Sequence, residues 1–217
     1  MDNLNIIPKP ECITYEDITE LLHKAYTVRI KEGLKYNAAT QSAEVTKNRV
    51  GNGTCLIAII DEELVGTITC NIYNCYSKKY SLKYDKNFYI ISQFAVKPYY
   101  KHRGIGKKLI EYVEDLAQKN NCDAIYGDTA SSAKQLLSWY DHLDYLKIGF
   151  LSHPNTNYYS VVFRKTINGK SMNNFFRLCR YNIKKLFCII SYRKDGEIRL
   201  LSKIIKKLQK NLTNNME

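Results

Sequence analysis

Long apolar runs are missing from this sequence. No stretch approaches the roughly 18 to 20 apolar residues that a membrane-crossing helix requires. The opening "MDNLNIIPKP" carries an acid at Asp2 and has neither a basic flank nor an extended apolar segment, so it does not read as a secretory leader. Together these absences predict a cytoplasmic protein. Patterned cysteine is missing as well. The seven cysteines (Cys12, Cys55, Cys70, Cys75, Cys122, Cys179 and Cys188) are odd in number and contain no CxxC pair, which excludes a disulfide framework and a zinc-ribbon ligand set. They read as reduced thiols, mostly in the core. The four histidines (His23, His102, His142 and His153) are scattered, so no metal site is expected.

Acidic residues are scarce where the basic ones are densest. Residues 169–217 hold 12 Lys/Arg against 3 Asp/Glu, a balance of +9 out of the chain's +12, which leaves +3 for residues 1–168. The stretch "INGK" (167–170) marks the expected boundary. The reading is an enzyme-sized domain over 1–168 and a basic amphipathic extension over 169–217. No internal repeat or low-complexity run interrupts either part.

What is present is a mixed succession of helices and strands. Thr14, with Asp17 three residues on, opens a helix through a capping-box arrangement, and Ile18, Leu21, Leu22 and Ala25 form its apolar face. A second helix is predicted from Thr40 through Val50, ended by "GNG". "TCLIAII" and "LVGTITCNIY" read as a hairpin around the acidic turn 61–63, residues 74–87 as a long loop, and "FYIISQFAV" (88–96) as a central strand. A helix follows with Ile105, Leu109, Ile110, Val113 and Leu116 at three- and four-residue steps. Then come a strand over 122–130, a helix over 131–143 capped by Ser131 or Ser132, and strands at "YLKIGFL" and "YYSVVFRKTI". The fold class is α/β (α+β), with helices on the faces of a sheet.

The stretch "VKPYYKHRGIGKKLIEYVEDLAQK" (96–119) carries the chemistry. Gly104 and Gly106 stand where a strand-to-helix turn becomes a helix, and the first turn of a helix has amide N–H groups without intrahelical partners. Such amides, the helix dipole and the charges of Lys101, Arg103, Lys107 and Lys108 make an anion site. It is not a nucleoside-triphosphate loop, because Arg164 stands where GxxxxGK[ST] needs its first glycine. Nor is it a dinucleotide fingerprint, because Leu109 takes the place of the third glycine.

"FAVKPYYKHRGIGKKLIEYVEDLA" resembles the signature of the GNAT superfamily of N-acetyltransferases: a strand ending in Ala-Val, a proline two residues on, then [RQ]xxGx[GA] opening a long helix. Lys101 replaces the family's Arg or Gln, which keeps the charge and loses the planar fork. "DTASSAKQLLSWYDHLDY" (128–145) is similar to a second family segment, with Tyr140 on the family's tyrosine and Asp144-Tyr145 in place of Gly-Phe. The resemblance implies a mixed, mostly antiparallel sheet flanked by helices, and acetyl-CoA as co-substrate. It further implies that the strand over 88–96 splays from that over 122–128. Pantetheine would lie in the gap along Phe94, Ala95 and Val96, with its pyrophosphate on Lys101, His102, Arg103, Gly104, Ile105, Gly106 and Lys107. It implies direct attack of a primary amine of a small molecule or amino-sugar, with Tyr140 as proton donor to the leaving thiolate.

The slot where many relatives carry a glutamate base holds Ser92 and Gln93; a water chain or Asp128 are the substitutes. Tyr26, Tyr36, Tyr73, Tyr76, Tyr80 and Tyr84, with lysines at 78, 79, 83 and 86, surround the expected acceptor region and favour an anionic or sugar-like amine. The alternative to turnover is a binding or scaffold protein of the same fold, docked through its tail. For residues 175–212 the readings are packing on the domain or in a homodimer, and peripheral docking on a membrane or acidic partner; specific nucleic-acid binding is not expected.

Overall fold

Thr14 starts the first helix as its sequence predicts. Its hydroxyl accepts from the Asp17 amide at 3.1 Å, and the Asp17 carboxylate accepts from the Thr14 amide at 2.8 Å. This helix, α1 (Tyr15–Lys31), buries Ile18, Leu21 and Leu22. The structure is a computed structural model that describes residues 3–74, 85–153, 155–169 and 181–182. The aromatic and basic positions expected at 75–84, and the tail over 170–217 apart from Tyr181 and Asn182, lie outside the described residues.

Beyond α1 the elements are α2 (Ala43–Val50), α3 (Ile105–Lys119) and α4 (Lys134–Asp141), with strands β1 (Asn5–Pro8), β2 (Thr54–Ile60), β3 (Glu63–Asn74), β4 (Asn87–Val96), β5 (Ala124–Ala130), β6 (Leu146–Ser152) and β7 (Tyr159–Thr166). Seven strands form one sheet in the order β1-β2-β3-β4-β5-β7-β6. Every neighbouring pair is antiparallel except β4 with β5. The α/β class and the mostly antiparallel sheet flanked by helices are therefore as the sequence predicts.

Alternation along the strands divides the core between two faces. Leu56, Ala58, Ile91 and Ile125 pack under α3 and α4 with Leu109, Ile110 and Val113. Cys55, Ile57 and Ala95 pack against Ile18, Leu21 and Leu22 of α1 and Val50 of α2. Cys55, Cys70 and Cys122 are free and buried, whereas Cys12 is exposed.

Three boundaries differ from the sequence-based expectation. A short 3-10 turn (Asn37–Ala39) precedes α2, which begins only after Ser42, whose hydroxyl accepts from the Val45 amide at 3.2 Å. The expected start at Thr40 placed the cap two residues early. Helix α4 begins at Lys134 rather than Ser131, and neither serine caps it, because Ala133 occupies the capping position. Strand β1 was not anticipated: four residues containing a proline acquire strand geometry by pairing along Leu56–Ile59.

Two features of β4 set up everything below. It pairs with β5 only over Phe88–Ile90 against Ala124–Tyr126, and beyond these the strands part. On its other edge Thr67 faces Ala95 but Thr69 faces Ser92, so Gln93 and Phe94 oppose Ile68 alone, a bulge with Gln93 at φ 49. The closed end of the split is pinned by a buried ion pair. Arg164 on β7 donates from Nε and Nη2 to the two oxygens of Asp85, at 2.8 and 2.7 Å, and Tyr126 donates its hydroxyl to the same carboxylate. Both side chains of the pair are 1% exposed.

Candidate active site

The split between β4 and β5 leads directly to the turn that enters α3. His102 and Gly104 adopt left-handed backbone conformations, at φ 62 and 76, and curl residues 101–104 into an exposed loop. The Lys108 amide donates to Gly104 O at 3.1 Å and so begins the helical ladder. Among the described residues the six preceding amides, 102 through 107, find no backbone acceptor, and they border the solvent-facing loop. A Cβ on Gly106 would sit 3.2 Å from the Phe94 ring, whose ring stacks with Trp139 at 5.8 Å between centroids. The glycine thus lets two aromatic rings floor the first turn without filling its outer face.

Charge around the loop is positive, though unevenly placed. Arg103 is folded back over the rings of Tyr99 and Tyr100, at 5.1 and 5.2 Å. Lys107 lies 3.6 Å from Glu111 on the surface of α3. Partial desolvation, followed by the nearby charge of Arg29, pulls the Lys101 pKa below the ordinary lysine value, which an arriving anion would reverse. Strand alternation completes the arrangement: the Lys97 amide donates to Val65 O on β3, so the Val96 N–H turns the other way, toward the split. The Phe94 carbonyl, by contrast, already accepts from the Tyr26 hydroxyl at 3.0 Å. The resemblance implies a backbone contact to pantetheine at Phe94, and the carbonyl of that residue has this donor from the protein as well.

Tyr140 projects from α4 with its ring stacked on Phe163, centroids 3.9 Å apart. Phe163 has room because residue 127 is glycine, where a Cβ would lie 2.4 Å from the Phe163 ring. Tyr140 is only 4% exposed, and its hydroxyl makes no hydrogen bond among the described residues. Burial, then the neighbouring Tyr26, Asp128 and Tyr36, hold its pKa well above that of free tyrosine. Those same neighbours locate the hydroxyl, which reaches from the α3/α4 face to a cleft lined by residues of the opposite face.

That cleft is built from three tyrosines and an acid. Tyr26 and Tyr36 rings lie 5.2 Å apart, and Tyr36 and Tyr158 rings 4.9 Å apart. Tyr26 bonds Phe94 of β4, while the Tyr36 oxygen accepts from the Ala130 amide of β5 at 3.2 Å, so the pair spans the two parted strands. Burial lifts the Tyr26 hydroxyl to about 12. At the end of β5, Asp128 Oδ2 lies 2.9 Å from Nε2 of His153, both half-buried. Asn157 ties the roof together, donating to Gly33 O at 2.8 Å and accepting from the Lys35 amide at 2.9 Å. Ser92 is half-buried, and Gln93 is directed into a buried network, accepting from Gln41 at 2.7 Å and donating to Thr69 at 3.1 Å. Neither takes the place of a base.

A split strand pair beside an amide-lined glycine turn defines a class of acyl-group transferase folds, and sequence comparison agrees. Residues 15–145 match the profile of the acetyltransferase (GNAT) family, and the chain belongs to that family. No curated protein matches it in sequence. Among solved structures it is similar to Arabidopsis thaliana NAA60 in complex with a bisubstrate analogue, with TM-score 0.57, 22% identity, and coverage of 77% of this chain and 99% of that one. It is similar to the ribosomal-protein-S18-alanine N-acetyltransferase from Escherichia coli, with TM-score 0.57, 12% identity, and coverage of 79% and 97%. It is also similar to a GNAT family acetyltransferase from Elizabethkingia anophelis with acetyl-CoA bound, with TM-score 0.52, 16% identity, and coverage of 76% and 99%. No helix among the described residues is long and apolar enough to cross a membrane.

The structure brings together Phe94, Val96, the 101–107 turn and Tyr140, all singled out from sequence. His153, Tyr158 and Arg49 were not singled out. His153 lies in the β6–β7 connection, 25 residues from Asp128 with α4 and β6 between them, and a solitary histidine in a polar segment gives no local signal of such pairing.

Proposed function

We propose that this protein is an acetyl-CoA-dependent N-acetyltransferase that acetylates a primary amine of a small molecule or amino-sugar by direct attack. The observation that carries the proposal is the run of unpartnered amides at 102–107, placed at the mouth of the β4/β5 split. These amides and Lys101 suit the diphosphate, and the free edge of β4 at Val96 suits the pantetheine amides. The thioester supplies an activated acyl carbon. The Val96 N–H faces the split where the carbonyl oxygen gathers charge. Asp128, paired with His153, takes a proton from the substrate ammonium so that the neutral amine attacks the thioester carbon, and the second proton that the nitrogen loses once bonded replaces the one Tyr140 gives to sulfur. Tyr140, kept protonated by its burial, donates its proton to sulfur as the carbon–sulfur bond breaks. The Asp128–His153 pair supports an enzyme rather than a scaffold, since it fills the base role that Ser92 and Gln93 leave open.

A peptide α-amine is the second acceptor reading. It is favoured by the similar structures, one an S18-alanine N-acetyltransferase and another the NatC complex bound to a Gag peptide. The test is release of free thiol from acetyl-CoA across a panel of amines, with melting temperature followed in parallel and Gly104→Glu as control. Thiol release that depends on amine, and a rise in melting temperature abolished by Gly104→Glu, are expected. Neither signal appearing in the native chain sinks the proposal.

A further inference from the structure

The aromatic cleft continues outward into a cavity of about 550 Å³ between the end of α1 and the start of α2, with Tyr36 on the wall shared by both. Its volume is of the size that holds a small ligand. Ile30, Leu34 and Val45 line it on the apolar side, Arg49 and Lys35 on the charged side, and no acidic residue is among its described lining. The nearby cations Lys24, Arg29 and Lys97 each have a carboxylate, at 2.5, 2.9 and 2.7 Å from Glu20, Glu32 and Glu63. Arg49 and Lys35 have none among the described residues.

Arg49 is also held in place. Its Nη1 donates to Oε1 of the buried Gln41 at 2.6 Å, and the Gln41 amide in turn donates to Thr46 and to Gln93, both at 2.7 Å. Gln93 is the bulge residue of β4, so the guanidinium is fixed relative to the strand that borders the reaction. Its charge reaches the aromatic cleft, where it offsets part of the burial that raises the Tyr26 and Tyr158 hydroxyls. A planar guanidinium with one edge anchored and the rest uncommitted is suited to an oxyanion.

We infer that the acceptor is a small amine that also carries a carboxylate or phosphate, seated by Arg49 with Lys35 at the rim of this cavity while the amino group lies beside Asp128. The inference rests on the acetyltransferase reading above and names its acceptor class. The roof clasp of Asn157 on Gly33 and Lys35 bounds the space, which is why a small molecule is chosen over a chain.

The experiment compares glycine, β-alanine and γ-aminobutyrate with their carboxamides, and phosphoethanolamine with ethanolamine, by kcat/KM and by calorimetric binding to the acetyl-CoA-loaded full chain. At least one anionic member is expected to exceed its neutral partner about tenfold or more, the size of a charge-assisted hydrogen bond. Arg49→Gln should bring that ratio close to one. Lys35→Gln, on an exposed side chain that risks no fold, should reduce it in part, and added salt should do the same. Equal values for every pair, in turnover and in binding, overturn the inference while the transferase reading stands. A preference seen only between short peptides with aspartate or asparagine in second place also overturns it, in favour of a peptide acceptor. Where no amine turns over, the binding ratio alone decides; the acetyl-CoA melting shift reports separately on the transferase reading.

Discussion

Tyr140 shows how a single side chain is given a job by its neighbours. Gly127 makes room for Phe163, Phe163 carries the Tyr140 ring, and burial keeps the phenol protonated far above neutral pH. Removing only its oxygen should therefore leave the stack and lose the proton. Tyr140→Phe is expected to lower kcat about a hundredfold or more with little change in acetyl-CoA affinity, measured by thiol release and by titration calorimetry. Equal turnover would remove Tyr140 from the reaction. Asp128→Asn should instead lower kcat most for strongly basic amines and least for weakly basic ones, since it alters proton uptake rather than delivery. Tyr140 was legible in the sequence because its segment has a recognisable order. Arg49 and His153 were not, because each acquires its meaning from a partner that only folding brings near: Gln41 across a capped helix start, Asp128 across a strand pair.

At the scale of elements, the strand–turn–helix unit of β4 and α3 concentrates the function. Gly104 sits at φ 76, where a side chain costs about 1 to 2 kcal/mol, and the unpartnered amides depend on that curl. Gly104→Ala is expected to lower the melting temperature modestly and to weaken acetyl-CoA binding more than the stability loss explains. A binding constant that is unchanged once the folded fraction is accounted for would show that the turn holds no ligand. The periodicities of α1, α3, the β2–β3 hairpin and β4 were all readable from sequence, since each buries a face of its own. Helix α2, α4 and β1 were misplaced or missed for different reasons. Ser42 caps α2 by a local bond two residues beyond the expected start, Ala133 offers no capping side chain for a local rule to find, and Pro8 takes strand geometry only by pairing with Leu56.

Over the whole molecule, the sheet buries several groups that ionise only in alkali. Burial, and for Cys70 then the adjacent Cys55, raises Cys70 to about 12, and burial raises Cys122 to about 11 and Tyr89 to about 12. Each folded value exceeds its unfolded one, so the folded state holds more protons once pH passes roughly 9. The stability they contribute is complete below that pH and is lost as pH climbs toward 11 and 12. Urea midpoints should fall steadily between about pH 8 and pH 10.5, and coincident midpoints would contradict the burial of these thiols. The α/β class was legible at this scale. The parting of β4 from β5 came only with the family resemblance, because nothing in the strand sequences themselves says where pairing stops.

The Asp85–Arg164 pair has one more implication, for tolerance to change. Asp85 is the first described residue after 75–84 and is fastened to β7 and, through Tyr126, to β5. Whatever is spliced between Asn74 and Asp85 therefore meets a fixed docking post before β4 begins. Exchange of residues 75–84 should leave β4 and β5 in the register they have, as a changed drill bit leaves the chuck unmoved.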